Sequence, residues 1–169
     1  MPKDIAILKF IDKPALDALV VKSTGNTSYT WEAYENDIQI DGLHQMIYVE
    51  GVTKLAQGIF KIVLTPKGSL AVDPEYGTNL QETLENGKVF LGSASSQSNQ
   101  FNNIQTEIIN ALKHYNLINQ DNPDSDEVIE TIEEVRVVQS LDEPRQLQIR
   151  IEVTTESGKT LRVSVPQVV

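Results

Sequence analysis

Residues 64–80 read LTPKGSLAVDPEYGTNL, and this stretch decides how the rest of the chain is arranged. Pro66 pushes Thr65 out of the α region, so a helix that precedes it must end there. Gly68 then supplies a residue that tolerates positive φ. The DPEYG of residues 73–77 repeats the device with an aspartate that bonds to the backbone ahead, a proline and a second glycine. We therefore predict two fixed turns with a four-residue apolar strand between them.

The segments on either side of this stretch have helical spacing. Before it, apolar residues recur at intervals of three and four, which predicts an amphipathic helix that ends at Leu64. These residues are Val52, Leu55, Ala56, Ile59, Ile62 and Val63. Gly58 lies inside this helix at a cost of about 1 kcal/mol relative to alanine, which indicates close packing against a neighbour. After the stretch, Thr78 or Asn79 can cap a short helix through Leu84.

A longer helix is predicted in the middle of the chain. The polar run from Gly92 to Gln100 is expected to be a loop, and its Ser98 or Asn99 can open the helix. One apolar stripe then continues to Leu117. Its members are Phe101, Ile104, Ile108, Leu112 and Tyr115. The acidic residues 127–134, EVIETIEE, fit either a helical turn or a strand, and we favour a short lead-in to a strand.

The last third of the chain predicts β-structure. The segments Val135–Gln139, Leu147–Thr155 and Thr160–Val165 are rich in strand-forming residues, and the last two alternate in side-chain character. Short turns join them, so we expect a three-stranded antiparallel meander with one face in the core and the other exposed to solvent. Helices laid on one face of this small, mainly antiparallel sheet give an α+β fold.

The N-terminal part has mixed signals. Residues 1–37 contain short β-prone pieces around a flexible polar bridge, and we interpret them as an arm or hairpin that precedes a core domain of residues 38–169. The aromatic side chains of Tyr29, Trp31 and Tyr34 would anchor this arm, either on a neighbouring protein or on its own domain. At the start of the core, residues 38–50 predict a hairpin across an Asp-Gly turn.

The composition narrows the range of functions. The 169 residues include 14 basic and 24 acidic side chains, so the net charge is −10 and binding to nucleic acid or an anionic membrane is disfavoured. There are no cysteines, which excludes disulfides and thiol nucleophiles. The first residues do not resemble a signal peptide, and no apolar run approaches the length of a membrane span. We expect a soluble protein made inside a cell, with no cofactor and no metal.

Residue patterns for catalysis are weak. The two histidines, His44 and His114, lack a neighbouring acid and nucleophile, so each is interpreted as a surface or satisfied histidine. Asp73 and Glu75 could be proposed as a glycosidase pair. We reject that reading because the two lie in one loop rather than across a cleft, and the turn already explains Asp73. The acidic residues of 121–127 are interpreted as a solvated loop, since their spacing differs from a calcium loop.

An ordered set of residues in the first half of the core resembles a known family. The order of the motif "LAQ, apolar helix, LTPKG, short strand, DPEYGTNL" is similar to the sheath-initiator family, the baseplate wedge proteins of contractile tails. The matching residues are Leu55, Ala56, Gln57, Leu64, Thr65, Gly68, Asp73, Pro74, Tyr76, Gly77 and Leu80. The resemblance spans residues 41–165, and a generic helix–turn–strand–turn–helix unit is the alternative reading.

The resemblance implies a structural virion protein without enzymatic activity, assembled in the host cytoplasm and located in the tail baseplate. Its implied partners are the tail sheath protein and wedge core proteins, with tube or hub proteins as further candidates. It would be a monomer alone and occur in six copies around the tail axis. Some members of the family were once labelled tail lysozymes. A small cell-wall hydrolase therefore stays open as an alternative. The net charge of −10 leaves a second alternative, an acidic module that occupies a nucleic-acid site.

The implied mechanism is strand exchange, in which arms of sheath subunits add strands to sheet edges of this domain. The candidate docking residues lie on the last two strands and are Leu147, Ile149, Ile151, Val153, Leu161, Val163 and Val165. The triplet Glu143-Pro144-Arg145 resembles a motif with which the family docks on the wedge core. It lies later in this chain than in the family, so an ordinary hairpin turn is the other reading.

Overall fold

The computed structural model describes residues 4–5, 21–23, 26–32, 48–85, 94–139 and 146–168. Three helices and seven strands lie in these ranges. The helices are α1 (Val52–Leu64), α2 (Leu80–Glu85) and α3 (Ala94–Asn119). The strands are β1 (Asp4–Ile5), β2 (Val21–Ser23), β3 (Asn26–Glu32), β4 (Tyr48–Val49), β5 (Ile129–Gln139), β6 (Gln146–Thr155) and β7 (Thr160–Val168).

The main sheet has five strands in the order β2-β3-β7-β6-β5. The predicted meander of β5, β6 and β7 is confirmed, with antiparallel register that places Ile151 opposite both Val135 and Val163. The pairing of β3 with β7 is parallel. Helices α1 and α3 contact β7 and β5 respectively, so the protein has the expected α+β fold.

One hydrophobic core lies between the sheet and the helices. The inward side chains of β6 are almost completely buried, whereas Gln148, Arg150 and Glu152 of the same strand are partly or fully exposed. Each buried aliphatic side chain of this kind stabilises the fold by about 1.5–3 kcal/mol. The largest buried members are Phe60, Leu55, Ile59, Ile62, Ile104, Ile108, Leu112, Leu147, Ile149, Ile151 and Leu161.

Helix α1 has the predicted bounds at both ends. It stops because Thr65, which precedes a proline, has an extended backbone with φ −78° and ψ 126°. The backbone N–H and the hydroxyl of Thr65 both donate to the carbonyl of Lys61, at 2.9 and 2.6 Å. The residue that ends the helix therefore satisfies the carbonyl of Lys61 in its last turn.

The predicted apolar strand between the two turns is wrong. Residues 70–73 form a further turn, in which the N–H of Asp73 bonds to the carbonyl of Leu70 at 3.3 Å. Val72 is 95% exposed and Leu70 is 39% exposed, so neither side chain enters the core. An apolar run of four residues forms a strand only if a neighbouring strand pairs with it. None of the described strands pairs with residues 69–72.

The long helix α3 begins earlier than predicted. Residues 94–100 are helical, although their polar composition suggested a loop. Serine and glutamine are tolerated in a helix once propagation is under way, because each added residue closes a hydrogen bond at little cost. Similarly, β5 begins at Ile129, so the acidic segment before Val135 is strand, with bulges that interrupt its pairing with β6.

Part of the N-terminal region joins the main sheet. Strand β3 pairs along Thr160–Ser164 of β7, and β2 forms an antiparallel hairpin with β3. The proposed boundary at residue 37 stays a prediction. The hairpin predicted for residues 38–50 lies mostly outside the described residues, and its end, Tyr48–Val49, pairs with Asp4–Ile5.

Gly58 packs against Tyr115 of α3, so the neighbour expected from its position in a helix belongs to this chain. A Cβ at Gly58 would lie 2.1 Å from the hydroxyl oxygen and 2.5 Å from Cζ of Tyr115. We expect Gly58→Ala to destabilise the protein by about 1–2 kcal/mol in chemical denaturation, because the ring must shift. On a Tyr115→Ala background the same change should stabilise it by about 1 kcal/mol through helix propensity. Stabilisation in both backgrounds would contradict the contact.

Candidate docking surfaces

Two backbone hydrogen bonds close the double turn of residues 65–78. The N–H of Thr78 donates to the carbonyl of Thr65 at 2.8 Å, and the N–H of Lys67 donates to the carbonyl of Thr78 at 2.9 Å. Both predicted glycines have positive φ, 81° at Gly68 and 107° at Gly77. The prediction of two fixed turns is confirmed, and the bridge between Pro66 and Thr78 makes them one closed unit.

The hydroxyl of Thr78 joins the two helices that flank this unit. It is buried, donates to the carbonyl of Val63 at 2.7 Å, and accepts a longer bond from the N–H of Leu80 at 3.4 Å. The N–H of Asn79 donates to the carboxylate of Glu107 on α3. The loop therefore has fixed contacts with the end of α1, the start of α2 and the side of α3.

Asp73 and Glu75 are both held within this unit. One oxygen of Asp73 accepts the N–H of Glu75 at 3.2 Å, as its place at the head of a turn predicts. Its other oxygen lies 2.9 Å from Nε2 of His114 on α3, and this hydrogen bond lowers the pKa of Asp73. The carboxylate of Glu75 lies 2.7 Å from Nζ of Lys67. The contact with His114 could not be predicted from local patterns, because 41 positions separate the partners.

A polar groove of about 540 Å³ runs between the loop and α3. Amide, carboxylate and ammonium groups dominate its lining. The residues that line it include Lys67, Glu75, Asn79, Asn103, Thr106, Glu107, Asn110 and His114. Such a surface can exchange hydrogen bonds with a partner, but it lacks the apolar lining typical of a small-molecule site.

The candidate sheath-docking residues on β6 and β7 occupy the centre of the sheet. Their side chains are buried in the core, and both strands are paired on each side. Among the described strands, the edges are β2, with three residues, and β5, with eleven. Strand β7 is not a free edge along Thr160–Ser164, because β3 pairs with it there. Docking by these residues stays a prediction.

The outer face of the sheet carries charged side chains in register. Glu152 and Arg162 lie opposite each other and form two hydrogen bonds at 2.8 and 3.1 Å. The hydrogen bond and charge of Glu152 raise the pKa of Arg162 further above its ordinary value. This face of the sheet is exposed to solvent, as the alternation of side-chain character in β6 predicts.

A second unpredicted contact lies where the loop after α3 meets the start of α1. Glu127 is 2% exposed, and its carboxylate accepts hydrogen bonds from the backbone of Gly51 at 3.0 Å and from Nδ2 of Asn122 at 2.7 Å. It also forms an ion pair with Nζ of Lys54 at 2.5 Å. The interpretation of residues 121–127 as a solvated loop is therefore wrong at Glu127 and at the buried Asp124.

The structure describes only some of the other candidate residues. Glu143, Pro144, Arg145, Tyr34 and His44 lie outside the described residues. The backbones of Tyr29 and Trp31 belong to β3, where they pair with Leu161 and Val163. No described helix is long and apolar enough to cross a membrane. Within the described ranges, no group of three or more His, Asp or Glu side chains could hold a metal ion.

A comparison with solved structures finds a likeness in fold. No family model and no curated protein matches this chain. The fold is similar to that of a crystal structure described as a "putative tail lysozyme" from Geobacter sulfurreducens, with a TM-score of 0.54 and 16% identity. The two proteins share this fold. The likeness covers 74% of this chain and 96% of the other, so it includes nearly the whole of that protein.

Proposed function

We propose that this protein is a structural component of a contractile tail baseplate that links the wedge to the first sheath ring and nucleates sheath assembly. The observation that carries this proposal is the fold likeness to a tail protein over almost its full length. The residue pattern of the closed turn supports it independently, because the same ordered residues resemble the sheath-initiator family. The proposed partners are the wedge and the sheath, with the tube or hub as a further candidate.

The sheet supplies the physical basis for nucleation. An edge strand presents unpaired backbone donors and acceptors, and an added strand gains affinity with little demand on side-chain identity. Strand β5 is the long edge among the described strands, so we propose that an arm of a sheath subunit adds there. Addition at β7 would require β3 to leave first.

We propose a structural role rather than a hydrolytic one. A retaining or inverting glycosidase needs a general acid whose pKa is raised. The hydrogen bond from His114 lowers the pKa of Asp73, and Glu75 is paired with Lys67. Both carboxylates thus already have partners, His114 for Asp73 and Lys67 for Glu75. An Asp73→Asn, Glu75→Gln double variant tests this directly, since hydrolysis of peptidoglycan that depends on these carboxylates would contradict the proposal.

The nucleation proposal predicts naked tubes when the edge of β5 is blocked. The backbone N–H and C=O groups of successive residues in an antiparallel strand point to opposite sides. Of Val135 and Arg136, one therefore bonds to β6, and the other points its backbone groups away from the sheet. Proline at the outward position removes a donor and leaves the ladder with β6 intact. Of Val135→Pro and Arg136→Pro, the variant that keeps the wild-type melting temperature is therefore the edge probe.

Tails are then assembled in cells that lack the native gene and carry each variant, and are examined by electron microscopy. We expect the edge probe to enter baseplates that bear no sheath, whereas alanine at the same position should give sheathed tails. Sheathed tails from the edge probe would contradict strand addition at β5. Sheathed tails from the gene deletion itself would contradict the proposed function.

A further inference from the structure

Side chains of like charge face each other on the outer face of the sheet, between β5 and β6. Glu134 lies opposite Glu152, and Arg136 lies opposite Arg150. Like charges that are directly opposed destabilise a pair of strands, whereas opposite charges stabilise it. Reversing the charge on one member of each pair would therefore favour the isolated domain. A local arrangement that does not serve the stability of the fold indicates a site with another role.

The acidic pair has a cation beside it within the sheet. Arg162 on β7 donates two hydrogen bonds to the carboxylate of Glu152, at 2.8 and 3.1 Å. The hydrogen bond and charge of Glu152, together with the charge of Glu134, raise the pKa of Arg162. Arg162 therefore offsets the repulsion between the two carboxylates.

The basic pair, Arg136 and Arg150, lacks such a partner among the described side chains. Both arginines are exposed, and none of the carboxylates whose side chains the structure describes forms an ion pair with either. Arg150 donates to Oε1 of Gln148 from Nε at 3.2 Å and from Nη2 at 2.9 Å. Gln148 is neutral, so these bonds position Arg150 without offsetting its charge. On a chain of net charge −10, the two arginines form a local positive site.

Arg136 lies on the strand edge that is proposed to receive a sheath arm. Strand β5 is an outer strand of the described sheet, and β6 pairs with only one side of it. A strand added on the other side places one side chain beside Arg136 on the outer face, about 5 Å away between Cβ atoms. The next side chain of that strand falls on the inner face, beside the partly buried Val135. The added strand therefore meets a cation on one face and apolar surface on the other.

We propose that the sheath arm carries an aspartate or glutamate beside Arg136, next to an apolar residue that covers Val135. This inference rests on the proposed strand addition at β5 and names the side chains that set its register. A carboxylate can accept two hydrogen bonds from one guanidinium, which gives the contact a defined geometry. A shift of the arm by one residue would move its carboxylate to the apolar face. The contact therefore selects one register among those that backbone pairing alone would allow.

Arg136→Glu tests the proposal, because it should change stability and assembly in opposite directions. In the purified protein it replaces repulsion from Arg150 by attraction, so the melting temperature should rise by about 1–4 °C. In tails assembled in cells that lack the native gene, Arg136→Glu should lower the sheathed fraction at least roughly fivefold, because two carboxylates then face each other. Arg136→Ala adds no repulsion and keeps the backbone ladder, so sheaths should still form. Lys113→Glu makes the same change in net charge at an exposed residue of α3 and should leave sheathing unchanged.

A reciprocal change in the sheath protein identifies the partner residue. Lysine replaces each acidic residue of the sheath arm in turn in tails that carry Arg136→Glu, and one replacement should restore the sheath. Wild-type sheathing by Arg136→Glu would overturn the proposal, as would a fall in its melting temperature or the failure of every arm replacement to restore the sheath. If the proline edge probe still gives naked tubes while Arg136→Glu gives sheathed tails, strand addition at β5 stands and only the carboxylate contact is wrong.

Discussion

Replacing Gly77 with alanine should be among the most destabilising single changes in the described core, at about 3 kcal/mol or more. Gly77 has φ 107°, a value that residues with a Cβ rarely adopt. A Cβ there would also lie 2.3 Å from the carbonyl oxygen of Thr65, which is the acceptor for the N–H of Thr78. The substitution therefore adds backbone strain and breaks a hydrogen bond that closes the double turn.

Gly68→Ala separates these two effects. Gly68 also has positive φ, 81°, but a Cβ there meets nothing within 4 Å. We expect this control to cost only about 1–2 kcal/mol, the ordinary penalty for left-handed backbone. Chemical denaturation of both variants gives the comparison. Equal losses would show that strain alone, rather than the approach of Thr65, requires glycine at position 77.

The sequence predicted those parts of the fold that local rules decide. The bounds of α1 follow from an apolar period and a proline that stops the helix, and the meander follows from alternation between buried and exposed side chains. Both glycines of the double turn were predicted because positive φ has a strong residue preference. These features depend on neighbours within a few positions.

The features that the sequence did not predict depend on distant partners. The apolar residues at 69–72 suggested a strand, yet they are exposed because no described strand pairs with them. Likewise, the contact between Asp73 and His114 joins a loop to a helix 41 positions later. The edge of β7 could not be judged from the C-terminal strands alone, since β3 covers it from the other end of the chain.

The closed turn has a structural role. It fixes the start of α2 and contacts the side of α3, whereas the strands provide the backbone edge proposed for the sheath. The edge proposed for strand addition therefore lies on a different element from the closed turn.

Glu127→Ala should destabilise the protein by about 2–3 kcal/mol, a large effect for one polar side chain. Glu127 lies 76 positions from Gly51, yet it accepts the N–H of this residue, which immediately precedes α1, where no local side chain caps the helix. A carboxylate at a helix N-terminus also interacts favourably with the helix dipole. Its loss leaves the donors of Gly51 and Asn122 unsatisfied in a partly buried site.

Two further variants show which part of the effect comes from charge. Glu127→Gln keeps the shape and one acceptor, so we expect it to cost about half as much as alanine, because only the charged interactions are lost. Glu130→Ala removes an exposed carboxylate three positions away and should change the free energy of unfolding by less than about 0.5 kcal/mol. Urea denaturation measures all three. A loss at Glu127→Ala no larger than at Glu130→Ala would mean that α1 starts after Gly51 without help from this carboxylate.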